Sequence, residues 1–137
     1  PQFLTLTIDR VAQQYFVLYE GSPGGLLDSK DYWVTSDGVP QSIEGNWAGD
    51  LPDPEWVYFA DGAADRSLFM AHHGPDTTKD VYWNGEGQMT VFGFGRTTNL
   101  GDPGFIDVPR RISVGLVESR KFETVEATIN AAYELNP

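Results

Sequence analysis

Apolar and polar residues alternate through FLTLTID (residues 3–9), the pattern of a strand with one face in a core and the other in water. QYFVLYE (14–20) is more continuously apolar and reads as a second strand. The link RVAQ (10–13) is short enough for a hairpin between them, although no Asn-Gly marks the turn. GSPGG (21–25) breaks the chain, and DYWVTSDG (31–38) is a short strand running into a turn. Residues 40–54, rich in Pro, Gly, Asp and Asn, form a predicted long loop that carries Trp47. EWVYFAD (55–61) is a strand closed by Asp61-Gly62.

SLFMAHH (67–73) predicts a strand with Leu68, Met70 and His72 on one face and Phe69, Ala71 and His73 on the other. A polar loop bearing Asp76, Asp80 and Trp83 separates it from QMTVFGFG (88–95). In that run Met89, Val91 and Gly93 share one face, and Thr90, Phe92 and Phe94 the opposite one. TTNLGDPG (97–104) is a further loop, and RISVGLVE (111–118) is the last strand. Only residues 122–135 carry helical spacing, with Phe122, Val125, Ile129, Ala132 and Tyr133 recurring on one side. Ser119 is placed to cap that helix, and Glu123 and Glu126 suit the positive end of its dipole. The expectation is an all-β, mainly antiparallel fold, a β-sandwich or twisted sheet with one C-terminal α-helix over an edge or face. The sandwich is preferred.

The length of 137 residues suits a single β-sandwich-like domain over 1–137 with a core of its own. Acids outnumber bases 20 to 9, for a formal charge of −11. Such a surface repels phosphate backbones, and the basic pairs Arg110-Arg111 and Arg120-Lys121 are too short to form a patch, so no nucleic-acid partner is expected. There is no Cys, which excludes disulfides, thiolate zinc sites and a thiol nucleophile. No apolar run approaches the ~20 residues of a membrane-spanning helix. The chain opens on Pro1 and enters a strand at once, so the expectation is a mature or trimmed fragment, secreted or extracytoplasmic, whose upstream residues were removed or belong to a longer polypeptide. So abrupt a first strand is also expected to associate with another domain or chain.

Candidate chemistry gathers in the loops. His72 and His73 are the only two histidines, and as strand neighbours they point apart, so they do not chelate one metal together. Either can join Asp76 or Asp80 in a His/carboxylate group, or serve as a general base; a strand-end His bonded to the next loop is the simpler explanation. Of four tryptophans, Trp33 and Trp56 read as core. Trp47 and Trp83 sit among Asn, Asp, Glu and Gly, where an indole floor and polar anchors suit the apolar faces and hydroxyls of a sugar. Loop-packing plugs explain them equally well.

Glu20, Glu55, Glu86 and Glu118 are candidates for the paired carboxylates of a glycosidase. His73, Tyr82 and Arg96 would supply the base and cation of a polysaccharide lyase, the more coherent enzyme reading. No cofactor motif is present. Calcium is the ion the sequence allows, since DLPDPE (50–55) and DGAAD (61–65) offer oxygen ligands. Neither follows the EF-hand pattern, and Asx turns explain both more simply. Gly93 and Gly95 lack the third Gly and following helix of a dinucleotide fingerprint, and fit better as relief beside an aromatic neighbour or as a bulge.

YFVLYEGSPGG, EWVYFADG, LFMAHH and MTVFGFGR together resemble, in style, the β-sandwich modules of secreted carbohydrate-active proteins. The resemblance implies a sandwich that acts on or near glycans and carries no catalytic residue over. The expected function is therefore an accessory module binding a polar small molecule or glycan, with Trp47 and Trp83 stacking and His72, His73, Asp76, Asp80 and Arg96 making polar contacts. The alternatives are a His-dependent lyase or hydrolase and a structural assembly domain.

Overall fold

The computed structural model describes residues 2–22, 25–98 and 100–135. Among the described residues there are ten strands: β1 (Phe3–Ile8), β2 (Val17–Gly21), β3 (Tyr32–Thr35), β4 (Pro40–Ser42), β5 (Asn46–Gly49), β6 (Trp56–Ala60), β7 (Ser67–His72), β8 (Asp80–Trp83), β9 (Thr90–Phe94) and β10 (Arg110–Val117). Helix α1 (Phe122–Leu135) follows. The strands form a six-stranded sheet, β1-β10-β7-β6-β3-β4, and a four-stranded sheet, β2-β9-β8-β5, antiparallel throughout. The expected sandwich with one C-terminal helix is what the chain forms.

Three layers result. Between the sheets lie Trp33, Val57, Phe59, Met70, Tyr82, Phe92, Phe94, Phe105 and Ile112. The helix covers the other face of the six-stranded sheet, where Val125, Ile129 and Ala132 pack on Val34, Trp56, Tyr58, Phe69 and Ala71. These two cores explain why the 55–61 run is apolar at nearly every position: β6 is buried on both faces, and a strand so placed has no polar side to show. At ~1.5–3 kcal/mol for each large apolar side chain removed from water, both interfaces contribute strongly to holding the layers together.

The sequence reading differs from the structure in several places. β1 and β2 do not form a hairpin: β1 pairs with β10 in one sheet and β2 with β9 in the other. The link at 10–13 therefore crosses between layers, which is consistent with its lack of hairpin turn chemistry. The predicted loop at 40–54 contains β4 and β5, and the loop after His73 contains β8. All three are short strands of mixed polarity, whose pairing comes from neighbours rather than from their own periodicity. Ser119 accepts the Lys121 N–H at 3.0 Å, one step ahead of the first helical turn, rather than capping the helix itself.

β1 is the edge of its sheet, and its inner face runs past the shelter of the four-stranded sheet. Leu4 and Leu6 are about half exposed there (56% and 48%), beside Leu116 on β10 (65%). No helix is long and apolar enough to cross a membrane among the described residues.

Candidate functional site

Antiparallel pairing brings the ends of β5, β7 and β9 and the starts of β2, β6, β8 and β10 to one end of the sandwich. Ionisable residues converge on that rim. Glu55 precedes β6, His72 ends β7, Asp76 lies in the following loop, Asp80 opens β8 and Arg110 opens β10. Glu55 Oε2 takes two hydrogen bonds, from His72 Nδ1 at 3.0 Å and from the Asp76 amide at 3.2 Å. His72 Nε2 lies 2.6 Å from Arg110, whose guanidinium also reaches Asp76 Oδ2 at 3.3 Å and the Tyr15 hydroxyl at 3.0 Å.

A guanidinium has donors and no acceptor. His72 Nε2 must therefore accept from Arg110, which leaves the ring proton on Nδ1 for Glu55. The tautomer is set by its neighbours. The imidazole also lies flat against Phe105 and tilted against Phe94, with ring centres 5.7 and 5.8 Å away, and Arg110 sits 3.5 Å above the centre of the Phe105 ring. The Arg110 cation is thus matched by the Asp76 carboxylate and the π-face of Phe105, as a desolvated charge requires.

Beside this network lies a second group without such a match. One carboxylate oxygen each from Asp50, Glu55 and Asp80 falls within 4.8 Å of the others. Asp80 is buried and accepts the Gly95 amide at 3.0 Å and the Leu51 amide at 3.5 Å. Burial, then the charges of Glu55 and Asp76, push its pKa up to about 8 against the pull of those amides. Burial likewise raises Glu55, in spite of its bond to His72. Glu55 Oε1 is buried and receives no N–H or hydroxyl, and the Asp50 carboxyl neighbours the Glu55 side chain.

The residues picked out in the sequence fall into separate layers. His72, Asp76 and Asp80 meet at the rim. His73 points the other way, toward the helix layer, with Nε2 2.7 Å from Ser113 Oγ and its ring edge-on to Tyr133. Trp47 and Trp83 stand in β5 and β8 rather than in loops. Trp47 pairs with Tyr82 and packs inward on Trp33, whereas Trp83 pairs with Asn46 and faces outward. The two indoles therefore occupy opposite faces of one sheet and form no common platform. Arg96 covers the outward side of Gly93, where a Cβ would strike its side chain, and its guanidinium lies 5.9 Å from the centre of the Phe16 ring.

The lyase trio does not assemble: His73 faces the helix, Tyr82 lies between the sheets and Arg96 is on the far face of the four-stranded sheet. The carboxylates around Asp61 make an ordinary Asx turn, with Asp61 accepting the Ala63 amide at 2.8 Å. Gly95, at φ +73°, lies where any Cβ would run into Phe105, so here the relief of aromatic crowding is real.

Register sets out a row across the outer face of the four-stranded sheet: Glu20, Val91, Trp83 and Asn46, on β2, β9, β8 and β5 in turn. The next row is Leu18, Gly93, Val81 and Ala48, with Arg96 lying over Gly93. A half-buried indole thus has an exposed amide beside it and, across the buried Val91, an exposed carboxylate, with a cation one row away.

Arg110 and Tyr15 had no place in the expected site, and Asp50 entered only through the calcium candidate at 50–55. Arg110 stood out in the sequence only as half of a basic pair. The available signal was its position at the start of an apolar strand, where a charge entering a core needs a partner. No protein-family model, curated protein or solved structure matches this chain.

Proposed function

We propose that this is a non-catalytic, ligand-binding β-sandwich domain that receives a neutral glycan on the outer face of its four-stranded sheet. The observation that carries the reading is the row Glu20–Val91–Trp83–Asn46. Neighbouring strands stand ~4.8 Å apart, so Asn46 lies directly beside the indole and Glu20 two strands away beyond Val91, a spread suited to hydroxyls of a sugar lying on it. With a formal charge of −11, the surface disfavours polyanionic polymers.

Catalysis by histidine fits less well. The Nε2 lone pair of His72, which a general base would use, already accepts from Arg110, and the ring is only 3% exposed. Calorimetric titration of the chain with a panel of neutral and acidic oligosaccharides tests the proposal. A neutral member should bind, Trp83→Ala should weaken it about tenfold or more, and Trp47→Phe should leave it unchanged. No binding across the panel, or equal affinity in Trp83→Ala, would overturn it.

A further inference from the structure

We infer that Asp50, Glu55 and Asp80 form a binding site for one hard divalent cation, of which calcium is the best fit, at the rim between the two sheets. The inference does not depend on the glycan reading: the rim lies between the sheets, whereas Trp83 is at the other end of β8, on the opposite face.

Two independent observations support it. The first is geometric. Three carboxylate oxygens lie within 4.8 Å of one another, and two oxygens on opposite sides of a calcium ion at ~2.4 Å stand about that far apart. The second is the state of Glu55 Oε1. This atom belongs to a side chain only 2% exposed, yet it meets no N–H or hydroxyl, and the Asp50 carboxyl lies against the same Glu55 carboxyl. Two acceptors face each other there, and only a proton or a cation can sit between them.

The neighbouring triad of Glu55, His72 and Asp76 is not an equivalent site, although its atoms are also close. Arg110 already supplies a positive charge to His72 and Asp76, and both ring nitrogens are engaged. Around Asp80, by contrast, the described bonds come from the backbone amides of Gly95 and Leu51, and the described side-chain partner of Glu55 is the His72 ring, a neutral N–H donor in the tautomer set by Arg110. All-oxygen donors select a hard ion over zinc or copper. Asp50 is exposed, so it offers an ion a path in from solvent, and water can complete the coordination shell.

The test uses the full chain after chelator treatment, with calcium chloride added in a calorimeter and in thermal melts. One calcium per chain should bind in the ~0.1–1 mM range of open extracellular modules, and the melting temperature should rise with calcium. Asp50→Asn should weaken binding about tenfold or more. Its residue is exposed, so this variant should fold. Asp80→Asn should do the same, with circular dichroism reporting its fold, and Glu118→Gln, an exposed acid elsewhere, should bind as wild type. Magnesium run in parallel should bind more weakly, since it demands a tighter octahedron. Absence of saturable calcium binding up to about 10 mM would show that the carboxyls share protons only and would overturn the inference. So would equal affinity in the wild-type, Asp50→Asn and Asp80→Asn chains.

Discussion

The rim between the sheets and the outer face of the four-stranded sheet hold polar groups in opposite ways. At the rim, Glu55, His72 and Asp80 are out of water and each depends on a named partner: His72 on Glu55 and Arg110, Asp80 on the Gly95 amide. On the outer face, Asn46 and Glu20 are solvated and Trp83 is half-buried, with no such dependence between them. The difference teaches where each kind of group can serve. A buried charge is fixed in place by its partners and is costly to disturb. A surface amide beside an indole costs the fold little and remains available to a ligand.

The strongest way to break this contrast is Arg110→Ala. It strips a donor from His72, a counter-charge from Asp76 and a cover from Phe105, and should cost about 3 kcal/mol of stability, as for other partly buried ion networks. The shift in urea midpoint measures it; an unchanged midpoint would mean that the rim is wet, and the two regions would no longer differ.

A smaller effect comes from Asp80. Its folded pKa of about 8 lies above the ~3.9 of an unfolded Asp, so between those values the folded chain holds the extra proton. Stability then falls as pH rises from about 4 to about 8 and is level beyond. Glu55, also raised, acts with the same sign. With chelator present, Asp80→Asn should flatten that slope and exceed the wild type by about 1–3 kcal/mol at pH 9, while matching it near pH 4. Parallel stability curves for the two proteins would contradict this assignment.

The least effect is expected on the outer face. Asn46→Ala should alter stability by no more than about 0.5 kcal/mol while weakening glycan binding. A larger loss of stability would make that face structural and erase the contrast from the other side.

Much of the fold was legible because burial writes itself into periodicity. The opposed faces of His72 and His73, and of Phe92 and Val91, follow from the strand repeat of two and hold in the structure. The helix was legible from Val125, Ile129 and Ala132, which are the residues it buries. β5 and β8 were not. NWAG and DVYW are too short and too mixed to announce a strand, and they become strands by pairing with each other and with β9. That misreading put Trp47 and Trp83 into loops, and from there into one imagined pocket.

The site divides along the same line. DLPDPE was legible as a source of oxygen ligands, and Asp76 as a partner for a histidine, whereas Asp80 bonds to the Gly95 and Leu51 amides instead. What sequence alone determined here is local: which segments bury a face, which residue types carry charge, and which neighbours must point apart. Tertiary structure alone decided which rim received Glu55, Asp80 and Arg110, because they stand 25 and 30 residues apart in succession and no local repeat links them. It also decided that Trp47 faces inward and Trp83 outward, since the face a side chain takes in a short strand depends on the register of its neighbours.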